Sequence, residues 1–252
     1  MTSPKRTSTW GLGEALLGAF AGFFLSILFQ IVVVSVWPRV TLASGKLAAM
    51  SSGEKLTATA LGLVGLWIGL AGSVLYSSRT RGKGSLREDF GLVFRPIDIV
   101  LGIAAGVGCQ LVLIPLLYLP FEAGNPTLTK SLSQPAHQLV GGYHGMQLVL
   151  IGLMVSIGAP IVEEVFFRGL LLRSLINKMV PALGQRAGVA GSVIVSALVF
   201  ALAHYEPLQF GGLAAVGIVL AILARRTGRL GASIIAHFAF NVVTVIALAS
   251  GH

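Results

Sequence analysis

The chain has 252 residues, of which 55% are apolar and only 11% are charged, and its formal net charge is +9. Because a soluble domain usually has about a quarter of its residues charged, this composition excludes an ordinary water-soluble protein. The basic residues flank apolar segments and form no long run, so the charge predicts contact with membrane lipids and excludes nucleic acid as a partner. The single cysteine, Cys109, excludes a disulfide framework and a thiolate metal cluster.

Apolar runs of about 20 residues recur along the chain, which is the length a helix needs to cross the hydrocarbon core of a bilayer. Backbone exposed to lipid must satisfy its own hydrogen bonds, and the alternating pattern of a membrane barrel is absent, so each run is expected to be helical. The sequence predicts an all-α, polytopic membrane helical bundle with seven spanning helices, and an eighth is left open. The predicted spans are Ala15–Val36, Ala58–Tyr76, Ile97–Leu119, Met146–Gly169, Gly188–Ala203, Leu208–Ala224 and Leu230–Ala249.

Lysine and arginine are distributed unequally between the two sides of this bundle. If odd-numbered spans run outward, fourteen basic residues fall on the cytoplasmic side and four on the other. The positive-inside rule describes this asymmetry, so we expect a multi-pass protein of a bacterial-type plasma membrane with a cytoplasmic N-terminus. The segment Ser77–Pro96 is then the main cytoplasmic loop, and Pro120–Gly145 is the longest outer loop.

The fourth span contains three ionisable residues, Glu163, Glu164 and Arg168, in the run IVEEVFFRG. Such groups are costly in lipid unless they are paired or hydrated, so they are candidates for a functional site. Glu164 and Arg168 have the i, i+4 spacing of a helical ion pair. Glu163 points about 100° away, over Phe167, and has no cation one turn away. A carboxylate without a cation in apolar surroundings is suited to act as a general base.

Two later spans carry the remaining polar candidates. His204 ends the run SALVFALAH, and His237 and Asn241 lie in the run SIIAHFAFN. A histidine at the end of a span is, taken alone, more often an interfacial residue than a catalyst. His237 and Asn241, in contrast, share one helical face by their i, i+4 spacing, and together they can hold a water or a developing oxyanion.

Three short motifs, EEVFFR at Glu163–Arg168, FALAH at Phe200–His204 and HFAFN at His237–Asn241, follow one another on separate spans. They resemble the pattern of the CAAX-protease and bacteriocin-processing (CPBP, Abi) family of intramembrane proteases. The likeness covers roughly residues 96–246. We therefore divide the chain into residues 1–95, a two-span region without a motif, and residues 96–252, a core similar to these proteases.

The resemblance implies an intramembrane endopeptidase that hydrolyses a peptide bond of a membrane-associated peptide or lipidated protein. By this likeness, Glu163 activates the attacking water, and His204 assists the activation or protonates the leaving group. His237 and Asn241 form the oxyanion site.

Glu164 and Arg168 brace this geometry in the same interpretation, and no cofactor is required. A zinc-dependent version of the protease is left open, with Glu163, His204 and His237 as the metal ligands. No HExxH motif is present, and the view of the family as glutamate proteases needs no metal. A proton-coupled transporter and a non-catalytic bacteriocin-immunity binding module remain as alternatives from other functional classes.

The predicted spans leave one inconsistency in the depth of the site. With Gly188 at the cytoplasmic face, the helical rise carries His204 toward the outer leaflet, whereas Glu163 and His237 lie nearer the inner half. Either the fifth helix starts deeper, or a segment within 166–190 enters the bilayer.

Overall fold

The structure is a computed structural model that describes residues 10–36, 51–122, 125 and 127–250, and within these ranges it is helical and contains no β-strand. Lys5, Arg6, Arg39, Lys46 and His252 lie outside the described residues. The described helices are α1 Leu12–Val36, α2 Ser52–Arg81, α3 Leu86–Phe90, α4 Pro96–Glu122, α5 Leu128–Val140, α6 Met146–Leu183, α7 Gln185–Leu202, α8 Phe210–Thr227 and α9 Gly231–Ala249.

Seven of the described helices, all except α3 and α5, are long and apolar enough to cross a membrane. Large apolar side chains such as Leu17, Phe20 and Leu116 are exposed on the outside of the bundle, as lipid tails require. The predicted polytopic helical bundle is therefore confirmed, and the chain is an integral multi-pass membrane protein. An eighth spanning helix is not found among the described residues.

The first two spans form a tight antiparallel hairpin. A side chain at Gly65 would lie 2.7 Å from the carbonyl oxygen of Leu25, and one at Gly69 would collide with the backbone of Gly22. Small residues at this spacing let two membrane helices approach closely, where van der Waals contact replaces the hydrophobic driving force that lipid cannot supply.

An ion pair fixes the start of α4 against the start of α9. Arg229 donates hydrogen bonds to both carboxylate oxygens of Asp98, the shortest at 2.6 Å, and these bonds raise the pKa of its guanidinium. Asp98 also accepts from the backbone N–H of Arg95 at 2.8 Å, as an acid in the first turn of a helix does. The clamp holds α9, and with it His237, against α4.

The outer loop differs from its prediction. Pro120–Gly145 was expected to be a loop because it is rich in Pro, Gly, Ser and Gln, yet half of it forms α5, which has Pro135 inside the helix. Leu128, Leu132 and Leu139 recur at helical spacing and give α5 an apolar face. Gln209 donates a hydrogen bond to the carbonyl of Leu132 at 2.6 Å, which ties α5 to the α7–α8 connection.

The predicted end of the fourth span at Gly169 was wrong, and the actual helix explains the depth of His204. Helix α6 continues to Leu183, and α7 begins at Gln185 after a turn at Gly184, whose φ is +79°. The loop expected up to Gly188 therefore does not exist. Glu163 lies 21 residues before Gly184 and His204 lies 20 residues after it. Because α6 and α7 run antiparallel from this turn, the two side chains come to the same level.

Candidate active site

A cavity of about 980 Å³ opens between the helices of the bundle, and Glu163, His204, His237 and Asn241 all line it. These four residues come from α6, the end of α7 and α9, so the structure brings the predicted set together from three helices. Glu164 and Arg168 do not line the cavity. They are buried beside it, with 0% and 1% of their surface exposed.

Glu163 forms no ion pair with a lysine or arginine among the described residues, as its spacing predicts. Its Oε2 atom is buried and has no hydrogen-bond partner in the described structure, and it lies 4.0 Å from Nε2 of His237. This separation is too long for a direct hydrogen bond. Unpartnered buried oxygens are rare because each costs free energy, and they concentrate at sites of function.

Glu164 holds both the arginine and one of the histidines. Its Oε1 atom accepts a hydrogen bond from Nη1 of Arg168 at 2.7 Å and lies 3.1 Å from Nδ1 of His237. An ionised carboxylate only accepts hydrogen bonds, so Nδ1 of His237 carries the proton and Nε2 faces Glu163. The Glu164–Arg168 ion pair predicted from the sequence is present, and Glu164 additionally orients His237.

Arg168 contacts groups from three helices in the interior of the bundle. Its Nη2 donates to the carbonyl of Gly217 at 3.2 Å, and its guanidinium stands 4.3 Å from the centre of the Phe200 ring. Stacking on an aromatic face and a carbonyl contact partly replace the water that the buried cation has lost. Arg168 therefore fixes Glu164 and also links α6 to α7 and α8.

His204 is oriented by the last turn of α7. Its Nδ1 lies 2.8 Å from the carbonyl oxygen of Phe200, which can only accept, so Nδ1 is the donor and Nε2 is left with its lone pair. The Phe200 ring packs 4.6 Å from the His204 ring and 5.6 Å from the His237 ring, centre to centre. Helix α7 ends at Leu202, and Tyr205, directly after His204, has the left-handed φ of 55°.

Asn241 is anchored by an irregular turn of α6. Its Nδ2 donates to the carbonyl of Val155 at 2.9 Å. Val155 lies in the π-helical turn Met154–Gly158, and a second π-helical turn, Val165–Leu171, follows the two glutamates. Such turns widen the backbone spacing and occur frequently at functional sites. The spacing of residues in the sequence gives no sign of them.

Gln110 is a cavity residue that the sequence reasoning missed. It lies in a third π-helical turn, Cys109–Leu113 of α4, and its Oε1 atom is buried without a hydrogen-bond partner in the described structure. A single carboxamide inside the apolar run VGCQLVL was the signal that could have identified it.

The three residues proposed as zinc ligands do not form a metal-binding group in the described structure. Within the described ranges, no three His, Cys, Asp or Glu side chains form a group that could hold a metal ion. Glu163, His204 and His237 share the cavity without converging as a three-ligand set, so no chemical step is assigned to zinc here.

Comparison with known proteins gives one match. Residues 145–243 match the model of the family described as type II CAAX prenyl endopeptidase Rce1-like, and all three motifs lie inside this range. No curated protein and no solved structure gives a significant match to the chain. The resemblance drawn from the motifs is therefore confirmed. Residues 145–243 therefore match the Rce1-like type II CAAX prenyl endopeptidase domain, which is that of the CPBP family.

Proposed function

We propose that this protein is an intramembrane endopeptidase in which Glu163 activates the water that attacks a peptide bond. One observation carries the proposal: the buried Oε2 of Glu163 has no partner and lies 4.0 Å from Nε2 of His237, in a cavity shared with His204 and Asn241. A water oxygen placed about 2.8 Å from both Oε2 and Nε2 would make an angle of about 90° with these two atoms. This geometry suits a water that bridges two polar groups.

In the proposed reaction, Glu163 takes a proton from this water while the water oxygen bonds to the carbonyl carbon of the substrate. The carbonyl oxygen becomes an oxyanion in a tetrahedral intermediate. The C–N bond then breaks, and the leaving nitrogen takes this proton from Glu163, either directly or through His204. The products are a carboxylic acid and an amine, and no oxidant or metal enters the balance.

His237 and Asn241 are proposed to stabilise the oxyanion. Since Nδ1 of His237 already donates to Glu164, Nε2 becomes a donor only when the ring is protonated. Asn241 uses one Nδ2 hydrogen on Val155 and keeps the second for the substrate.

His204 is proposed to move a proton. Its Nδ1 donates to the carbonyl of Phe200, so Nε2 is the atom that takes the proton from Glu163 and passes it to the leaving nitrogen. This fixed tautomer supports a role in proton transfer over a role in binding the oxyanion.

The substrate is proposed to be a membrane-associated peptide or a lipidated protein. Apolar side chains such as Leu66, Phe166 and Leu213 form much of the cavity wall, and a volume of about 980 Å³ accommodates an extended apolar segment beside the polar cluster.

A membrane-tethered peptide library tests this proposal. Purified wild type, Glu163→Ala and the control Glu206→Ala are compared, because Glu206 is another carboxylate of the same cavity. We expect wild type and Glu206→Ala to cleave a common set of peptides, and Glu163→Ala to cleave none. Equal cleavage by Glu163→Ala would eliminate Glu163 as the base.

The two alternative functions, a proton-coupled transporter and an immunity module, predict different results for wild type and these variants. A proton-coupled transporter would accumulate its substrate in proteoliposomes when a proton gradient is applied. An immunity module would protect cells against a bacteriocin even as Glu163→Ala or His237→Ala. Either behaviour, without peptide cleavage, would replace the protease proposal.

Chelation separates the metal-free mechanism from its zinc version. We expect the cleavage rate to be unchanged after exhaustive treatment with a chelator, because a carboxylate base activates water without a Lewis acid. The check is activity together with the zinc content of the purified protein. Loss of cleavage on chelation, with recovery on zinc addition, would favour the metalloprotease version.

A further inference from the structure

A second, smaller pocket of about 220 Å³ lies on the basic side of the bundle, between the middle of α6 and the end of α8. Arg168, Arg173 and Arg225 line it together with apolar residues and Gly228, and no carboxylate is among its lining residues. Arg168 lines this pocket and does not line the large cavity.

The guanidinium groups of Arg168 and Arg173 are already held by hydrogen bonds within the protein. Arg173 donates from Nη1 to the carbonyl of Asp89 at 3.2 Å and from Nη2 to the carbonyl of Gly228 at 3.4 Å, and it keeps N–H groups in reserve. The carboxylate of Asp89 accepts hydrogen bonds from Ser78 and from the backbone N–H of Lys83, and its charge also acts on Arg173.

The strongest indication is the Nε atom of Arg168. This atom is buried, has no hydrogen-bond partner in the described structure, and belongs to a side chain that lines the pocket. A buried charged donor without an acceptor is costly, and an anion in the pocket would remove that cost.

We infer that this pocket binds a phosphate group, either the headgroup of an anionic lipid or a free phosphate. Arginine forks match the geometry of phosphate oxygens, and basic pockets between helices at the cytoplasmic face are suited to anionic headgroups. In this proposal the exposed Arg225 contacts the anion at the surface of the pocket, and Arg168 and Arg173 contact it on the side of the helix bundle. Because Arg168 also holds Glu164, an anion bound here would steady the residue that orients His237, and this coupling rests on the proposed function.

The thermal midpoint Tm of the full chain tests the binding without reference to proteolysis. Wild type is measured in nanodiscs of phosphatidylcholine alone, in nanodiscs that also contain phosphatidylglycerol, and in the neutral nanodiscs with inorganic phosphate against chloride of equal ionic strength. We expect a rise of about 2–4 °C from ligand binding to the folded state. A rise with phosphate alone identifies a free anion as sufficient, and a rise only with phosphatidylglycerol identifies a lipid headgroup.

Arg225→Gln and Arg226→Gln form the matched pair for this experiment. Both residues are exposed at the end of α8 and lose the same charge, but only Arg225 lines the pocket. Arg225→Gln should lose at least half of the rise, while Arg226→Gln keeps it. No rise in wild type, or an equal loss in both variants, would overturn the inference, and the second result would indicate diffuse surface charge. Neither Arg225 nor Arg226 lines the large cavity, and the Tm shift does not depend on proteolysis. The test of the phosphate site therefore stands even if no peptide is cleaved.

Discussion

Glu164 shows at the level of single residues what spacing predicts and what it cannot. Its pair with Arg168 follows from i, i+4 spacing on one helix, and the same spacing leaves no lysine or arginine one helical turn from Glu163. Its contact with His237 joins residues 73 positions apart. That contact depends on how α6 packs against α9, and no local pattern encodes it. Gln110 was missed for a related reason, because its role depends on which face of α4 lines the cavity.

Arg168 gives a residue-scale prediction on stability. Arg168→Leu should destabilise the protein by about 3–5 kcal/mol, because it leaves the fully buried Glu164 without its cation. Arg168→Lys should lose less stability, because lysine keeps the positive charge beside Glu164. It should still lose some, because an ammonium group cannot contact both Glu164 and the Gly217 carbonyl as the guanidinium does. The Tm in detergent checks this, with the exposed Arg226→Leu as the control. A Tm for Arg168→Leu equal to that of the control would contradict the account.

The seven spans could be predicted as elements because about 20 apolar residues in a row have one stable structure in lipid. Their ends were less predictable. Helix α6 has 38 residues, about 57 Å at the helical rise, and it continues past Gly169 through the polar residues Arg173 and Lys178. Packing against α7 stabilises this extension. Helix α5 was missed because Pro135 and the polar residues of its exposed face obscured its apolar stripe.

The contact between α4 and α9 gives an element-scale prediction. A methyl group at Gly106 would stand 2.8 Å from Cβ of Ala239 and would clash with the backbone of Ala236, next to His237. Gly106→Ala should therefore push α9 outward, cost about 1–3 kcal/mol and lower the cleavage rate.

Gly108→Ala is the matched control for this helix pair. A methyl group at Gly108 meets nothing within 4 Å, so alanine there should be neutral or slightly stabilising through its helix propensity. Tm and cleavage rate are measured for both variants. Equal behaviour of the two would refute the role of the close α4–α9 contact in positioning His237.

For the whole molecule, we propose the division into residues 1–95 and residues 96–252 as two parts with different roles. The family match lies in the second part. The first part carries no motif, yet Phe23, Leu66 and Leu70 of α1 and α2 contribute to the cavity wall. We propose that α1 and α2 shape the substrate space, whereas the chemistry resides on α6, α7 and α9.

Membrane orientation is a prediction at this scale, made from the asymmetry of basic residues. In a Cys109→Ala background, Arg87→Cys marks the α2–α4 side and His144→Cys marks the α5–α6 side, and both positions are exposed. A membrane-impermeant maleimide applied to intact bacterial cells should label His144→Cys and spare Arg87→Cys. The reverse pattern would place the N-terminus outside.

The central claim, that Glu163 activates the attacking water, is tested most directly by the single-turnover cleavage rate of one peptide in nanodiscs. Glu163→Gln keeps the shape of the side chain but removes the base, so the rate should fall by about 10²- to 10⁴-fold. Glu206→Gln, the corresponding change at another carboxylate of the cavity, should stay close to the wild-type rate. Cleavage by Glu163→Gln at the wild-type rate would contradict the mechanism.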